Sequence, residues 1–528
     1  MIEAHCVEAV RRAEAIAMMD LPQGALMQRA AGALAGVIVN ELRSRHGRVY
    51  GTRVVVLVGP GANGGDAMFA AARLAARGVA VTAVMTSARP HEAGLAALEE
   101  AGARIIDIVR RPAAAALAEP DLIEDAEARR LMMVRKDGAA GRAWSSARMA
   151  VAAADLVVDG LLGIGGRPGL IDPAAGIVHG LDPRVPVIAV DLPSGINPDT
   201  GALIGTHIKA DVTVTFGTPK PALLLPPSSH VVGRLIVADI GLDPAYLGAP
   251  AVERLEVADV ARLWPVPRYN DDKYSRGVVG VVAGGSVYSG AAVLAAGAAV
   301  RSGAGMTRFV GPDPVTRAVR ERWPEVVPGE GRVQAWVLGP GVDPDSDDDQ
   351  AKAILSALEG EVPCVVDAGG LDVLNRALAD GGSVTAPMLL TPHAGELARF
   401  VESRTDRKRV DREMVLAQPV EFARIAAETT GATVLLKGAT TIVVGPEGPV
   451  RSQAEAPAWL ATAGAGDVLS GVIGALLAAG LDPIEAGSLG AWVHGRAAET
   501  ASAGGPITAE DVLAAVPGTV AELLKHRR

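Results

Sequence analysis

Short segments rich in valine, isoleucine and leucine recur along the whole 528-residue chain, and they are apolar on both faces. Residues 54–58, 156–158, 187–190 and 212–216 have this character in the first half, and 278–282, 335–338, 364–366, 388–390 and 434–436 in the second. A strand with one face in water alternates apolar and polar side chains. A strand buried on both faces does not, and such strands belong to parallel sheets covered by helices. Helical stretches such as 67–77, 290–300 and 468–479 lie between them. The expected fold is therefore α/β, a sandwich around a mostly parallel sheet. Nearly every strand segment runs into Gly, Asp, Asn, Ser or Lys. Open parallel sheets bind ligands beyond the carboxyl ends of their strands, so these residues are the first candidates for chemistry.

A chain of 528 residues exceeds one hydrophobic core. The strand–helix grammar is interrupted over 241–268, which is rich in proline and short in periodic signal. The boundary is expected near residue 245, giving domains 1–245 and 246–528. Apolar residues make up 49% of the chain and aromatics 3%, so Ala, Val, Leu and Gly must fill the cores. A net charge of −10 argues against a nucleic-acid partner. It leaves phosphorylated small molecules open, because local loops bind those whatever the global charge. Cys6 and Cys364, the only cysteines, form neither a metal-ligand cluster nor a disulfide framework. No basic-then-apolar leader opens the chain, and no apolar run nears the roughly 18 residues that a membrane span needs. The expectation is a cytoplasmic protein with no membrane partner. Three charged stretches carry no readable motif: 119–148, the acidic 343–349, read as a solvated loop, and 404–412, read as a charged helix face.

Behind the strand at 54–58 stands Gly59-Pro60-Gly61-Ala62-Asn63-Gly64-Gly65-Asp66. It contains G-x-G-x-x-G, whose glycines let backbone N–H groups approach a phosphate at a helix N-terminus. Taken alone it also fits a plain tight turn or a nicotinamide dehydrogenase. A dehydrogenase needs a ribose-binding acid at the end of the next strand. Here that strand, 79–85, ends in Thr86-Ser87-Ala88-Arg89, where Arg89 could suit a 2′-phosphate. Two later strand ends place Asp159 before Gly160-Leu161-Leu162-Gly163-Ile164-Gly165-Gly166-Arg167-Pro168, and Asp191 before Leu192-Pro193-Ser194-Gly195. Each aspartate alone is compatible with a structural cap. Two carboxylates, a hydroxyl and a glycine-rich loop on the same edge as Asn63 point to a site.

In the second half, Thr462-Ala463-Gly464-Ala465-Gly466-Asp467 precedes an apolar helix. Small residues free several backbone N–H groups to face one point, and the helix dipole adds positive potential there. That arrangement makes an anion hole for a phosphoryl group in transit. The same field is expected to favour ionised Asp467, a base for a hydroxyl proton; a structural N-cap is the bland alternative.

These segments together resemble known families. The loop ending in Asn63–Asp66, the Asp159 strand end, the Asp191-Leu192-Pro193-Ser194-Gly195 segment and Leu26-Met27-Gln28-Arg29-Ala30-Ala31-Gly32 look like the NAD(P)H-hydrate epimerase domain. The T-x-G-x-G-D turn resembles the ribokinase-like superfamily. Lys273-Tyr274-Ser275-Arg276-Gly277, Tyr288-Ser289-Gly290-Ala291-Ala292, Gly339-Pro340-Gly341, Thr391-Pro392-His393-Ala394-Gly395-Glu396 and Lys437-Gly438-Ala439-Thr440-Thr441 narrow that to the ADP-dependent NAD(P)H-hydrate dehydratases. The resemblance implies a Rossmann-like three-layer sandwich followed by a ribokinase-like α/β domain. It implies epimerisation of R- and S-NADHX and NADPHX, and dehydration of the S form at the expense of ADP. In the first half it implies K⁺ on Asn63, Asp159 and Ser194, and substrate contacts from Asn63, Gly64, Gly65 and Asp66. Further contacts would come from Gly163, Ile164, Gly165, Gly166, Arg167, Pro168 and Gly169, with Asp191 as general acid/base. In the second half it implies substrate contacts from Ala291, Gly341, His393 and Asp467. Lys437, Gly438, Ala439, Thr440, Thr441 and Gly466 would hold the AMP portion of the nucleotide, with Asp467 catalytic and Mg²⁺ implied by the phosphoryl transfer. A homo-oligomer is expected. The chain departs from the family pattern at Ala62 and Ile164, where Asn and Thr are usual. The competing reading is a ribokinase-like small-molecule kinase with an accessory N-terminal binding domain.

Overall fold

The structure is a computed structural model that describes residues 1–109, 139–343, 345 and 349–527. Most of the charged stretch 119–148, and most of 343–349, lie outside the described residues. The chain divides into two compact units, residues 4–250 and residues 251–528 together with 1–3. The first strand, β1 (Ile2–Ala4), accordingly stands at the edge of the second unit's sheet.

The first unit holds one sheet of β2 (Arg53–Val58), β3 (Ala80–Met85), β4 (Arg104–Asp107), β5 (Leu156–Gly160), β6 (Val187–Val190), β7 (Val212–Phe216) and β8 (Arg234–Ala238). Among the described residues its order is β4-β3-β2-β5-β6-β7-β8, parallel throughout. Both faces are covered, which is why the strands read as unbroken apolar runs. Val54, Val56 and Val58 pack with residues of the Ala25–His46 and Gly61–Ala75 helices. Val55 and Leu57, pointing the other way, join Ala147, Val151, Ala175 and Ile177. Each such side chain contributes about 1.5–3 kcal/mol by leaving water. The sheet grows outward in both directions from the β2–β5 pair, so a crevice opens at their carboxyl ends. The glycine-rich segment read as a loop is mostly helix. The Gly61–Ala75 helix starts inside it and buries Asn63, Gly64, Gly65 and Asp66. Small residues let the helix begin directly under β2, with no room left for a free loop.

The second unit contains β9 (Val252–Arg254), β10 (Val278–Val282), β11 (Met306–Val310), β12 (Val327–Pro328), β13 (Ala335–Leu338), β14 (Cys364–Val366), β15 (Met388–Leu390), β16 (Thr433–Leu436), β17 (Thr441–Val444) and β18 (Val450–Gln453). Among the described residues the order is β1-β9-β18-β17-β16-β15-β14-β13-β10-β11-β12. It is parallel from β16 to β12 and antiparallel at β16–β17 and β17–β18. Its switch point lies between β13 and β10. The Ala465–Ala478 helix runs through the core with twelve of its fourteen residues buried. It meets the Ser289–Arg301 helix so closely that a Cβ on Gly471 would lie 2.2 Å from the Ala295 carbonyl oxygen. Glycine is required there.

Two sequence expectations need correction. The 241–268 stretch, read as short in periodic signal, contains β9 and the Val257–Leu263 helix, whose Glu256 and Asp259 form a capping box. The 404–412 stretch is not a helix face. One helix stops at Arg404, Arg409 adopts a left-handed φ of 64°, and Asp411 caps the helix that starts at Arg412. Its charges are spent on those connections: the Arg409 N–H donates to Glu402, and Arg407 pairs with Glu421 at 2.9 Å while lying over the Phe422 ring.

Candidate active sites

At the β2–β5 crevice of the first unit a cavity of about 490 Å³ is lined by Asn63, Asp66, Gly163, Ile164, Gly165, Gly166 and Asp191, with Arg11 and Glu14 from the Val7–Asp20 helix. Sequence reasoning brought together all but the last two. Gly64 and Gly65 are buried in the helix beside the cavity rather than in its lining. Arg167 is exposed and, like Pro168 and Gly169, lies outside the lining; Gly169 instead donates its N–H to the Gly195 carbonyl.

Asp159, fully buried at the end of β5, accepts from Ser194 N (2.8 Å), Ser194 Oγ (2.6 Å) and Leu161 N (3.2 Å). Burial pushes its carboxyl up to about 6 against those three hydrogen bonds. Ser194 Oγ also lies 3.1 Å from the Leu162 carbonyl, and the buried Asn63 Nδ2 has no partner. Asp159 and Ser194 thus form a buried, hydrogen-bonded cluster of oxygens, and Asn63 Nδ2 is a buried donor left without an acceptor.

Asp191 adopts a left-handed φ of 66°, costly for a non-glycine residue and typical of functional sites. Its Oδ1 accepts from Lys220 Nζ at 2.5 Å and from Thr215 Oγ1 at 3.0 Å. Lys220 is 1% exposed, and it also reaches the Phe216 carbonyl at 3.3 Å. The carboxyls nearby respond to this charge. Burial lifts Glu14 above the usual range, with Lys220 opposing and Asp191 reinforcing. Asp66 is raised well above it, by burial first and then by Asp191 and Glu14. The sequence reading missed Glu14 and Lys220. Lys220 follows the β7 strand end, a position of the kind already singled out, whereas Glu14 sits on an ordinary amphipathic helix with nothing to mark it.

In the second unit a cavity of about 750 Å³ is lined by His393, Lys437, Gly438, Ala439, Thr441 and Gly466, with Ala456, Pro457, Thr462 and His494 among the remainder. Thr440 is buried beneath it. Ala291, in the first turn of the Ser289–Arg301 helix, and Gly341, in the turn after β13, are neighbours outside this lining: a Cβ on Gly341 would stand 2.8 Å from that of Ala291. His393 caps the Ala394–Arg404 helix, its Nδ1 accepting from Gly395 N and Glu396 N at 3.1 Å each. Its Nε2 lies 3.6 Å from Glu396 Oε1.

The helix carrying Asp467 is capped by Gly464, whose φ of 86° no other residue adopts readily. Asp467 thus lies in the first turn and is not the N-cap. The expectation that the helix field keeps it ionised is corrected. Burial first, and then the like charge of Asp367, push it up to about 7 against the pull of Lys437. Asp367, at the end of β14, was not anticipated from the sequence. Its Oδ1 accepts from Lys437 Nζ at 2.7 Å and its Oδ2 from Ser470 Oγ at 2.7 Å. Burial works against the charge of Lys437, yet Asp367 and Glu396 hold it above the usual lysine range.

Two α/β units, each with a cavity carrying titratable side chains at the carboxyl ends of its strands, have the arrangement of a two-site enzyme. Residues 23–222 match the family described as YjeF-related protein N-terminus, and residues 279–515 the family described as NAD(P)H-hydrate dehydratase. A bifunctional NAD(P)H-hydrate repair enzyme of Mycobacterium leprae is 42% identical over 507 residues, covering 94% of each chain. That of Mycobacterium tuberculosis strain H37Rv is 41% identical over 489 residues, covering 91% of this chain and 90% of its own. Among solved structures, the ADP/ATP-dependent NAD(P)H-hydrate dehydratase of Bacillus subtilis, co-crystallized with ATP and Mg²⁺, is 24% identical, covers 51% of this chain and 97% of that one, and has a TM-score of 0.46. The chain belongs to the bifunctional NAD(P)H-hydrate repair enzyme family.

Proposed function

We propose that the first unit epimerises R- and S-hydrates of NADH and NADPH and that the second dehydrates the S form with ADP, releasing AMP and phosphate. The observation that carries the reading is the convergence at one cavity of Lys437 from β16 and Gly466 from the helix start, with Asp467 one residue further on. Hydroxide leaves poorly, so the hydrate's hydroxyl is first converted into a phosphate ester. Asp467 takes the hydroxyl proton as the oxygen attacks the β-phosphorus of ADP, and the bond to AMP breaks. The backbone donors of the Gly464–Gly466 turn and Lys437 meet the charge spread over the phosphoryl oxygens. Phosphate then leaves, the adjacent ring carbon gives up a proton to solvent, and that C–H electron pair re-forms the dihydropyridine double bond.

Lys437, Gly438, Ala439, Thr440, Thr441 and Gly466 are assigned to the AMP portion, and Ala291, Gly341, His393 and Asp467 to the hydrate. Mg²⁺ would offset charge on the nucleotide phosphates. The residues present do not form a ready cage for it, since both oxygens of Asp367 are already engaged and no cluster of three or more His, Cys, Asp or Glu occurs among the described residues. In the first unit Asn63, Asp159 and Ser194 would hold K⁺, whose charge would balance the buried Asp159 and fix the loop ends against the hydrate. Substrate contacts are assigned to Asn63, Gly64, Gly65, Asp66, and Gly163 through Gly169. Asp191, held by Lys220 and Thr215, moves the proton. The reading includes a homo-oligomer in the cytoplasm; the free thiols of Cys6 and Cys364 agree with a reducing compartment.

Incubating the purified S hydrate with ADP and Mg²⁺ tests the reading. It predicts reduced nicotinamide, AMP and phosphate in equal amounts. A stable phosphorylated product without free phosphate would instead identify a small-molecule kinase.

A further inference from the structure

Asp367 is 1% exposed, and it belongs to none of the motifs that carry the proposed chemistry. Its carboxylate nevertheless ties together three elements of the second site. Oδ1 holds Lys437 Nζ at 2.7 Å at the end of β16, and Oδ2 holds Ser470 Oγ at 2.7 Å in the helix behind Asp467. Ser470 Oγ also lies 3.0 Å from the Gly466 carbonyl, so the same contact braces the small-residue turn. A third bond, from Ala368 N to Oδ1 at 2.9 Å, fastens the carboxylate to its own backbone, where Ala368 takes a φ of 46°. That conformation is strained for alanine and persists only where its surroundings enforce it.

We propose that Asp367 is a positioning residue of the dehydratase site, holding Lys437 and the Gly466 turn in place and setting the charge that Asp467 faces. The proposal rests on the reading of this unit as an ADP-dependent dehydratase. Lys437 could otherwise swing freely through the cavity on its four-carbon stem. Anchored at Asp367, its ammonium stands beside the turn: a Cβ on Gly466 would lie 3.4 Å from Nζ and 3.9 Å from Asp367 Oδ2. The charged groups that act on Asp467 are Asp367, after β14, and Lys437, after β16; Glu396 and His494 interact with Lys437 in turn. Burial drives His494 down to about 4, so it contributes no charge at neutral pH. The nearest opposed charges are Asp367, which resists ionisation of Asp467, and Lys437, which favours it.

Opposite shifts in the pH profile of kcat follow from this arrangement. The test uses the full-length protein, S hydrate and saturating ADP. The wild type should lose activity on the acid side as Asp467 takes up its proton. Asp367→Asn removes the like charge and releases Lys437, so the acid limb should move down by about one pH unit, while KM for ADP rises several-fold. Lys437→Met removes the favouring charge, so the limb should move up. This second variant carries the test alone if Asp367→Asn does not fold. A purely structural role would lower kcat equally at every pH. An acid limb that neither variant moves would overturn the role of Asp367 and leave the dehydratase reading standing. A wild type that does not turn over S hydrate would overturn both.

Discussion

In the proposed dehydration Asp467 carries most of the chemical weight, and its surroundings set when it can act. A general base must be unprotonated, and burial together with Asp367 pushes this carboxyl up to about 7. Dehydration is therefore expected to fall below about pH 7 and to level off above it, as read from kcat at saturating ADP; a flat profile from pH 5 to 9 would contradict the assignment. Asp467→Asn keeps the shape and removes the base, so kcat should fall by about 10²–10⁴ while ADP affinity stays within a few-fold. The same substitution has a stability signature. A carboxyl whose folded pKa is raised contributes stability that is fully present below its unfolded value and is lost as pH rises through the folded one. At pH 8 the wild type has lost that contribution and the Asn variant has none to lose, so the variant should melt at the same temperature or higher. A lower Tm at pH 8 would show that the carboxylate supports the fold. Asp467 was legible in the sequence because a glycine-rich turn points at it. Asp367 and Lys220 were not singled out although both follow strand ends, because each acts through a partner elsewhere along the chain, Asp367 through Lys437 and Lys220 through Asp191.

At the scale of elements, the strands were legible because burial on both faces writes itself as continuous apolar residues, and β2, β5, β6 and β7 lie where those runs fall. The helix at Gly61–Ala75 was misread at its start because glycine pairs signal a loop, and only the contact with β2 shows that small residues are needed for packing. The charged 404–412 stretch was misread for the converse reason: its charges looked like a helix face, while it is mostly the connection between two helices, with Arg409 left-handed within it. Close packing makes a prediction of its own. Gly471 leaves no space for a side chain where the Ala465–Ala478 helix meets Ala295. Gly471→Val should cost about 1–3 kcal/mol or more of stability through overpacking, seen as a lower denaturant midpoint. An unchanged midpoint would mean that the two helices can separate.

For the whole molecule, residues 4–250 and residues 251–528 with 1–3 form the two compact units, and the sequence showed nothing of the exchange at the chain's start. Residues 1–3 belong with the second unit, where the amino terminus pairs with Asp259 at 2.6 Å and Glu256 at 3.0 Å. Such a short strand carries no periodicity to read. A fragment beginning near residue 250 should therefore dehydrate S hydrate by itself, with lower stability than the same fragment whose β9 edge is restored by a linked copy of residues 1–4. A folded fragment that binds ADP without turnover would show that the second site needs the first unit.

The central claim, two sites serving one metabolite, is tested most directly by giving the full-length protein an equal mixture of R and S hydrates with ADP and Mg²⁺, for less time than the uncatalysed interconversion takes. Recovery of the reduced-nicotinamide absorbance to the full hydrate content, with AMP formed in equal amount, is the predicted result. Recovery that stops at half, leaving the R hydrate untouched, would contradict the account and leave the first unit without its activity.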